Sequence, residues 1–201
     1  MSIFENKNYQ GVDKLTIFKD KVMAVTFLKL VPDKITPNQM TIFRFITVPF
    51  IAWFLYIESY KIALPLFIVS ALSDWLDGAR ARLKDKVTFW GKKYDPVADK
   101  LLLSVAAVIL IGRYLNWILV GAIIIPEVII ITVAYYRIKT RSIISQPKIP
   151  GKLKMLFQVI GIVFLILYVM LNSHSFIIIA QYFLYASLGL ALVSLIKYRS
   201  I

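Results

Sequence analysis

The chain has 201 residues, of which 59% are hydrophobic, and no cysteine. Its mean hydropathy of +0.74 lies far above that of a soluble domain, and the missing cysteines exclude a disulfide framework or a thiolate metal site. A net charge of +13 on so apolar a chain points to anionic lipid headgroups and phosphorylated substrates rather than nucleic acid.

Met1 to Lys34 hold no apolar run followed by a small-residue cleavage site, so a cleaved signal peptide is not expected. Within this segment Val12, Leu15, Phe18, Val22, Val25 and Leu28 recur at three- and four-residue steps, with Asp13, Lys14, Asp20 and Lys21 between them. That spacing predicts an amphipathic helix lying in the membrane interface, ended by Pro32 and Asp33. Residues 1–36 are therefore read as a juxtamembrane segment and 37–201 as one membrane domain.

Apolar runs then predict six spans, at about Met40–Ile57, Ile62–Trp75, Val97–Ile111, Trp117–Tyr136, Leu156–Leu171 and Phe176–Ile196. Thr36-Pro37-Asn38 leads into the first, with proline near the helix start where its missing N–H costs nothing. The second and third are short, and their polar ends are expected to continue the helices beyond the lipid. The fold class is thus all-α and integral to the membrane. With both termini in the cytoplasm, only Lys61 and Arg113 of the 24 basic residues fall near outer span ends, the asymmetry of a positive-inside protein. The expected location is the cell membrane, inner or plasma, with the chemistry facing the cytoplasm.

That chemistry lies in four aspartates. Asp74 and Asp77 are three residues apart, and Asp95 and Asp99 are four apart, so each pair shares one face of its helix. Two antiparallel helices joined by a short loop can present all four carboxylates to one another. Carboxylates so close to hydrocarbon are costly unless they hold something positive. Hard oxygen ligands of this kind suit two Mg²⁺ or Mn²⁺ ions, which would clamp a diphosphate. Gly78 and Gly91 allow close backbone approach, Arg82 suits a phosphate or nucleotide group, and one carboxylate can take a proton from an attacking hydroxyl.

Read as D-x2-D-G-x2-A-R-x8-G-x3-D-x3-D, residues Asp74 through Asp99 resemble the signature of the CDP-alcohol phosphotransferase (phosphatidyltransferase) family at every fixed position. The resemblance implies that Asp74, Asp77 and Asp95 bind the metals, with Asp99 the general base lying near a metal. It implies a nucleotide pocket formed by Asp77, Gly78, Ala81, Arg82 and Gly91. It further implies a CDP-linked lipid donor such as CDP-diacylglycerol, an alcohol acceptor, release of CMP, and a homodimer.

Within the family, Ser73–Gly78, Tyr94–Leu102 and Gly151-Lys152-x-Lys154-x-x-x-Gln158 look most like bacterial phosphatidylglycerophosphate synthases, whose acceptor is glycerol 3-phosphate. Members that use phosphatidylglycerol to make cardiolipin share much of the pattern, and inositol phosphate or serine are further acceptor classes. One departure bears on the choice: glycerophosphate-using members commonly carry Arg-Glu in the fourth span, and here Pro126 precedes Glu127. Replacement cations for the acceptor phosphate are Arg137, Arg141, Lys152 and Lys154, and Arg137 and Arg141 share a helix face.

Glu127, a mid-span carboxylate, is either a functional group or a hydrogen-bonding partner of a neighbouring helix. Arg44 is expected to snorkel to the interface, and His174 to be solvated. A cation transporter would spread its acids through the membrane depth, which this chain does not do. A non-catalytic scaffold would not require the complete Asp/Gly/Arg set.

Overall fold

The computed structural model describes residues 37–83, 89–141 and 149–199, so the expected N-terminal interfacial helix lies outside the described residues. Among these, all regular structure is helical. The helices are α1 (Pro37–Tyr56), α2 (Tyr60–Leu83), α3 (Phe89–Ala106), α4 (Trp117–Arg141), α5 (Ile149–Leu171) and α6 (His174–Arg199). The α3 rod runs on through a π-helical turn, Ala107–Ile111, and a last short turn, Gly112–Tyr114.

Four of the expected spans each fall inside one of these helices; the first runs one residue past α1, to Ile57, and the third continues from α3 through the π-helical turn. Among the described residues three segments are long and apolar enough to cross a membrane, Gln39–Tyr56, Gly151–Leu171 and His174–Ser194. The apolar parts of α2 and α4, Tyr60–Ser73 and Trp117–Ile129, are shorter. The second and third helices do extend past their apolar runs, to Leu83 and back to Phe89, which carries the aspartate motif on helical backbone.

Local chemistry explains the helix ends. Glu58 has φ 60°, the left-handed conformation that closes α1. The Ser59 N–H reaches the Phe54 carbonyl at 2.8 Å and the Glu58 N–H reaches that of Leu55 at 3.3 Å, the paired bonds of a Schellman ending. Arg113 holds this turn from α3, 2.9 Å from the Glu58 carboxylate, and donates to the Tyr56 carbonyl at 3.3 Å. Beside it the hydroxyls of Tyr60 and Tyr114 are 2.6 Å apart. Asn116 caps α4, its Oδ1 accepting the Leu119 N–H at 2.7 Å. Asn172, with φ 49°, follows the end of α5. Pro49, Pro65 and Pro126 each lie inside a helix that continues past them.

The helices enclose one apolar core drawn from Ile51 and Leu55 of α1, Phe67 of α2, Leu102 and Leu110 of α3 and Leu165 of α5, among others. α3 is central, touching α1, α2, α4 and α5. The outer surface is apolar as well: Ile118 is 85% and Tyr182 72% exposed, a surface suited to hydrocarbon rather than water. Trp53 and Trp117 are exposed, and so is His174, as its expected solvation requires.

The most extensive helix pairing is α5 with α6. Phe164 stacks between Phe176 and Phe183, and Phe157 meets Phe183 edge-on. Gly161 permits the close approach, since a Cβ there would lie 2.8 Å from Leu184 Cγ and 3.3 Å from the Ala180 carbonyl oxygen. At Gly189 a Cβ would meet nothing within 4 Å. Gly161→Ala is therefore expected to destabilise the protein by about 1–3 kcal/mol through overpacking. Gly189→Ala is expected to stabilise it by up to about 1 kcal/mol through helix propensity. Thermal midpoints of the two detergent-solubilised variants, moving in opposite directions, check this.

Candidate active site

Helix α2 carries Asp74, Asp77, Gly78, Ala81 and Arg82 in its last turns, and α3 carries Gly91, Asp95 and Asp99 in its first ones. Only residues 84–88 separate the two helices. So short a connection keeps the end of α2 and the start of α3, and with them the two halves of the motif, near one another. Of these residues Asp99 has a described side chain; those of Asp74, Asp77, Ala81, Arg82 and Asp95 lie outside the described ones. Arg137 and Arg141 lie on the last turns of α4, and their side chains too are outside the description.

Asp99 is buried, at 6% exposure, on the α3 face that packs inward. Helix α1 carries a polar stripe of Thr41, Arg44 and Thr47, all buried. The Thr47 hydroxyl donates to the Arg44 carbonyl at 3.1 Å. Its single proton is thereby used, so Ser70 is the donor in the 3.2 Å Thr47–Ser70 contact that ties α1 to α2. Ser73 donates to the Ser70 carbonyl at 2.7 Å. This polar layer lies within one helical turn of Asp74.

Arg44 corrects the sequence reading. It is 0% exposed and is the largest fully buried side chain described, so it does not snorkel to the interface. Its spacing of three from both Thr41 and Thr47 was the available signal that it belongs to an inward stripe.

A second charged group lies between α3, α4 and α5. The Glu127 carboxylate is buried and stands 2.7 Å from the Lys154 ammonium and 3.8 Å from that of Lys100. Lys154 is 3% exposed at its side chain, Glu127 4% and Lys100 13%. Lys154 and Gln158, four residues apart, share the buried face of α5. Glu127 is thus an ion-pair partner of two helices, and Lys154, a candidate for the acceptor phosphate, has its ammonium already engaged. Lys152 is half-buried on the first turns of α5. Lys100 escaped notice in the sequence, although a buried Glu127 requires cations within reach.

Aspartates in the last turns of α2 and the first turns of α3 offer hard carboxylate oxygens, the donor type that suits divalent Mg²⁺ or Mn²⁺. Among the described side chains alone no cluster of three or more metal-ligating residues occurs, because Asp99 is the single motif aspartate in that set.

The CDP-alcohol phosphatidyltransferase family matches residues 34–193. Over 171 residues the chain is 33% identical to a CDP-diacylglycerol–glycerol-3-phosphate 3-phosphatidyltransferase of Wigglesworthia glossinidia brevipalpis, covering 81% of this chain and 91% of that protein. Proteins of the same name from Pseudomonas fluorescens and Escherichia coli strain K12 are each 38% identical over shorter stretches. These cover 48% of this chain and 52% of the first, and 40% of this chain and 46% of the second. With these two the chain aligns over about half their length.

The ion pair makes a stability prediction. Lys154→Met strips Glu127 of its 2.7 Å partner and is expected to cost about 3–5 kcal/mol, the range for breaking a buried pair. Lys152→Met, at a half-buried position, is expected to cost less than Lys154→Met. Thermal unfolding of the two variants side by side provides the comparison.

Proposed function

The chain belongs to the CDP-alcohol phosphatidyltransferase family, and on that premise we propose that it transfers the phosphatidyl group of CDP-diacylglycerol to glycerol 3-phosphate, giving phosphatidylglycerophosphate and CMP. The observation that carries this reading is the complete aspartate motif on two consecutive helices, in a chain that aligns with 91% of a relative bearing that activity in its name.

In the proposed reaction the acceptor hydroxyl oxygen bonds to the β-phosphorus of the donor. The bond from that phosphorus to the oxygen bridging the two phosphates breaks, and CMP departs with the bridging oxygen. Asp99 receives the hydroxyl proton, and its burial keeps bulk water from competing as the acceptor. Asp74, Asp77, Asp95 and Asp99 would hold two Mg²⁺ or Mn²⁺ ions, which when bound supply charge neutralisation for the diphosphate. Gly78, Ala81, Arg82 and Gly91 form the side of the pocket toward the cytidine. The candidates for the acceptor phosphate are Arg137, Arg141, Lys152 and Lys154, the last of them ion-paired with Glu127.

Charge asymmetry supports a six-span arrangement with both termini and the aspartates at the cytoplasmic face of the cell membrane, and the family resemblance supports a homodimer. Pro126 in place of the arginine common in glycerophosphate-using members keeps a second acceptor in view: phosphatidylglycerol, which would yield cardiolipin.

Purified protein with Mg²⁺ or Mn²⁺ is expected to release CMP from CDP-diacylglycerol when glycerol 3-phosphate is supplied. Phosphatidylglycerol, inositol phosphate, inositol and serine are expected to give none. Release with phosphatidylglycerol alone would transfer the chain to cardiolipin synthesis. Asp99→Asn is expected to abolish turnover while donor binding persists, whereas Asp74→Asn is expected to weaken metal-dependent donor binding too. A native rate in Asp99→Asn at saturating metal refutes the base assignment.

A further inference from the structure

We propose that Arg44 is the resident counter-cation of the aspartate site, a guanidinium built into its wall that holds the carboxylates together before divalent ions arrive. The inference rests on the reading of those aspartates as metal ligands.

A guanidinium stays charged at any ordinary pH, and that of Arg44 belongs to a side chain with 0% exposure. A charge so placed is tolerated only where anions stand near it. Two described carboxylates are committed elsewhere. Glu58 binds Arg113 at the far end of α1, and Glu127 binds Lys154 from α4.

Printed contacts on both neighbouring helices fix the level of Arg44. On the α2 side, the Thr47 and Ser70 hydroxyls meet at 3.2 Å. Helices α1 and α2 are antiparallel, joined by the tight turn at Glu58. From the Thr47–Ser70 contact Arg44 lies three residues back and Asp74 four residues on, about 4.5 and 6 Å toward the same end. Asp74 and Asp77, four and seven residues after Ser70, occupy the stripe of α2 that carries Ser70.

On the α3 side, Arg113 donates to the Tyr56 carbonyl at 3.3 Å, which sets the outer ends of α1 and α3 level. Both helices run in the same direction from that level, and they pack on each other. Arg44 precedes Tyr56 by twelve residues and Asp99 precedes Arg113 by fourteen, depths of about 18 and 21 Å along the two helices. Two independent registers thus bring Arg44 to the level of the motif, once on α2 and once on α3. Asp99, like Arg44, is buried there.

Four carboxylates gathered at one level repel one another. A fixed guanidinium among them offsets part of that repulsion in the metal-free protein. The same charge repels an incoming divalent ion and so weakens its grip.

The test compares native protein with Arg44→Gln, Arg44→Lys and Arg44→Gln/Asp74→Asn, each full-length in detergent and without substrate. Mn²⁺ affinity is read by electron paramagnetic resonance, and thermal midpoints are taken in EDTA. Arg44→Gln is expected to lower the EDTA midpoint yet bind Mn²⁺ at least threefold more tightly. Packing damage alone lowers the midpoint too, but it loosens the ions. Arg44→Lys, which keeps the charge, is expected to bind Mn²⁺ within twofold of native. A folded Arg44→Gln that binds Mn²⁺ less than threefold more tightly than native, or more weakly, overturns the proposal. Should Arg44→Gln fail to fold in EDTA, the double variant decides. Recovery of folded metal-free protein once Asp74 loses its charge sustains the counter-cation role, and no recovery overturns it. If native protein binds no Mn²⁺, the metal reading fails separately. Arg44 is then judged in EDTA alone: a double variant melting above Arg44→Gln sustains its role, and one melting at or below it overturns it.

Discussion

A carboxylate in an apolar bundle keeps its charge only where cations stand within a few ångströms, and Glu127 meets that condition through Lys154 and Lys100. Much of the architecture follows. Satisfying that carboxylate requires α3, α4 and α5 to converge, and their convergence makes α3 the helix that touches most of the others. The central helix is also the one that presents Asp95 and Asp99. The charged end and the greasy core are therefore parts of one packing solution.

The same logic runs through the polar layer between α1 and α2. Thr47, Ser70 and Ser73 pass hydrogen bonds from α1 to α2 and back onto backbone carbonyls, which lets hydroxyls lie inside the bundle without stranded protons. Arg44 lies in this layer and not at the lipid surface. Its burial brings a permanent cation into the half of the bundle from which the aspartates of α2 emerge.

The helices were legible because hydrocarbon imposes a length and an apolar composition that few other structures share. The motif was legible because chemistry fixes its spacing, and the family match over residues 34–193 agrees with it. What escaped depended on rotation and on contacts between distant segments. Arg44 near a helix start is equally compatible with lipid and with the core until the facing of α1 is known. Lys154 read as a free cation because its anion lies on another helix. The π-helical turn left no mark at all, since Ala107–Ile111 is an ordinary run of apolar residues.

That turn changes how the chain compares with its kin. A π turn holds one residue more than the α-helical path it replaces, so it takes up an insertion without displacing either flank. On one flank lie the aspartates; on the other, Tyr114 meets Tyr60 at 2.6 Å. A relative with an unbroken α-helix here would align with a one-residue gap inside 107–111 and agree in register on both sides. A gap at that place would mark a difference in helix winding, and would say nothing about a difference in chemistry.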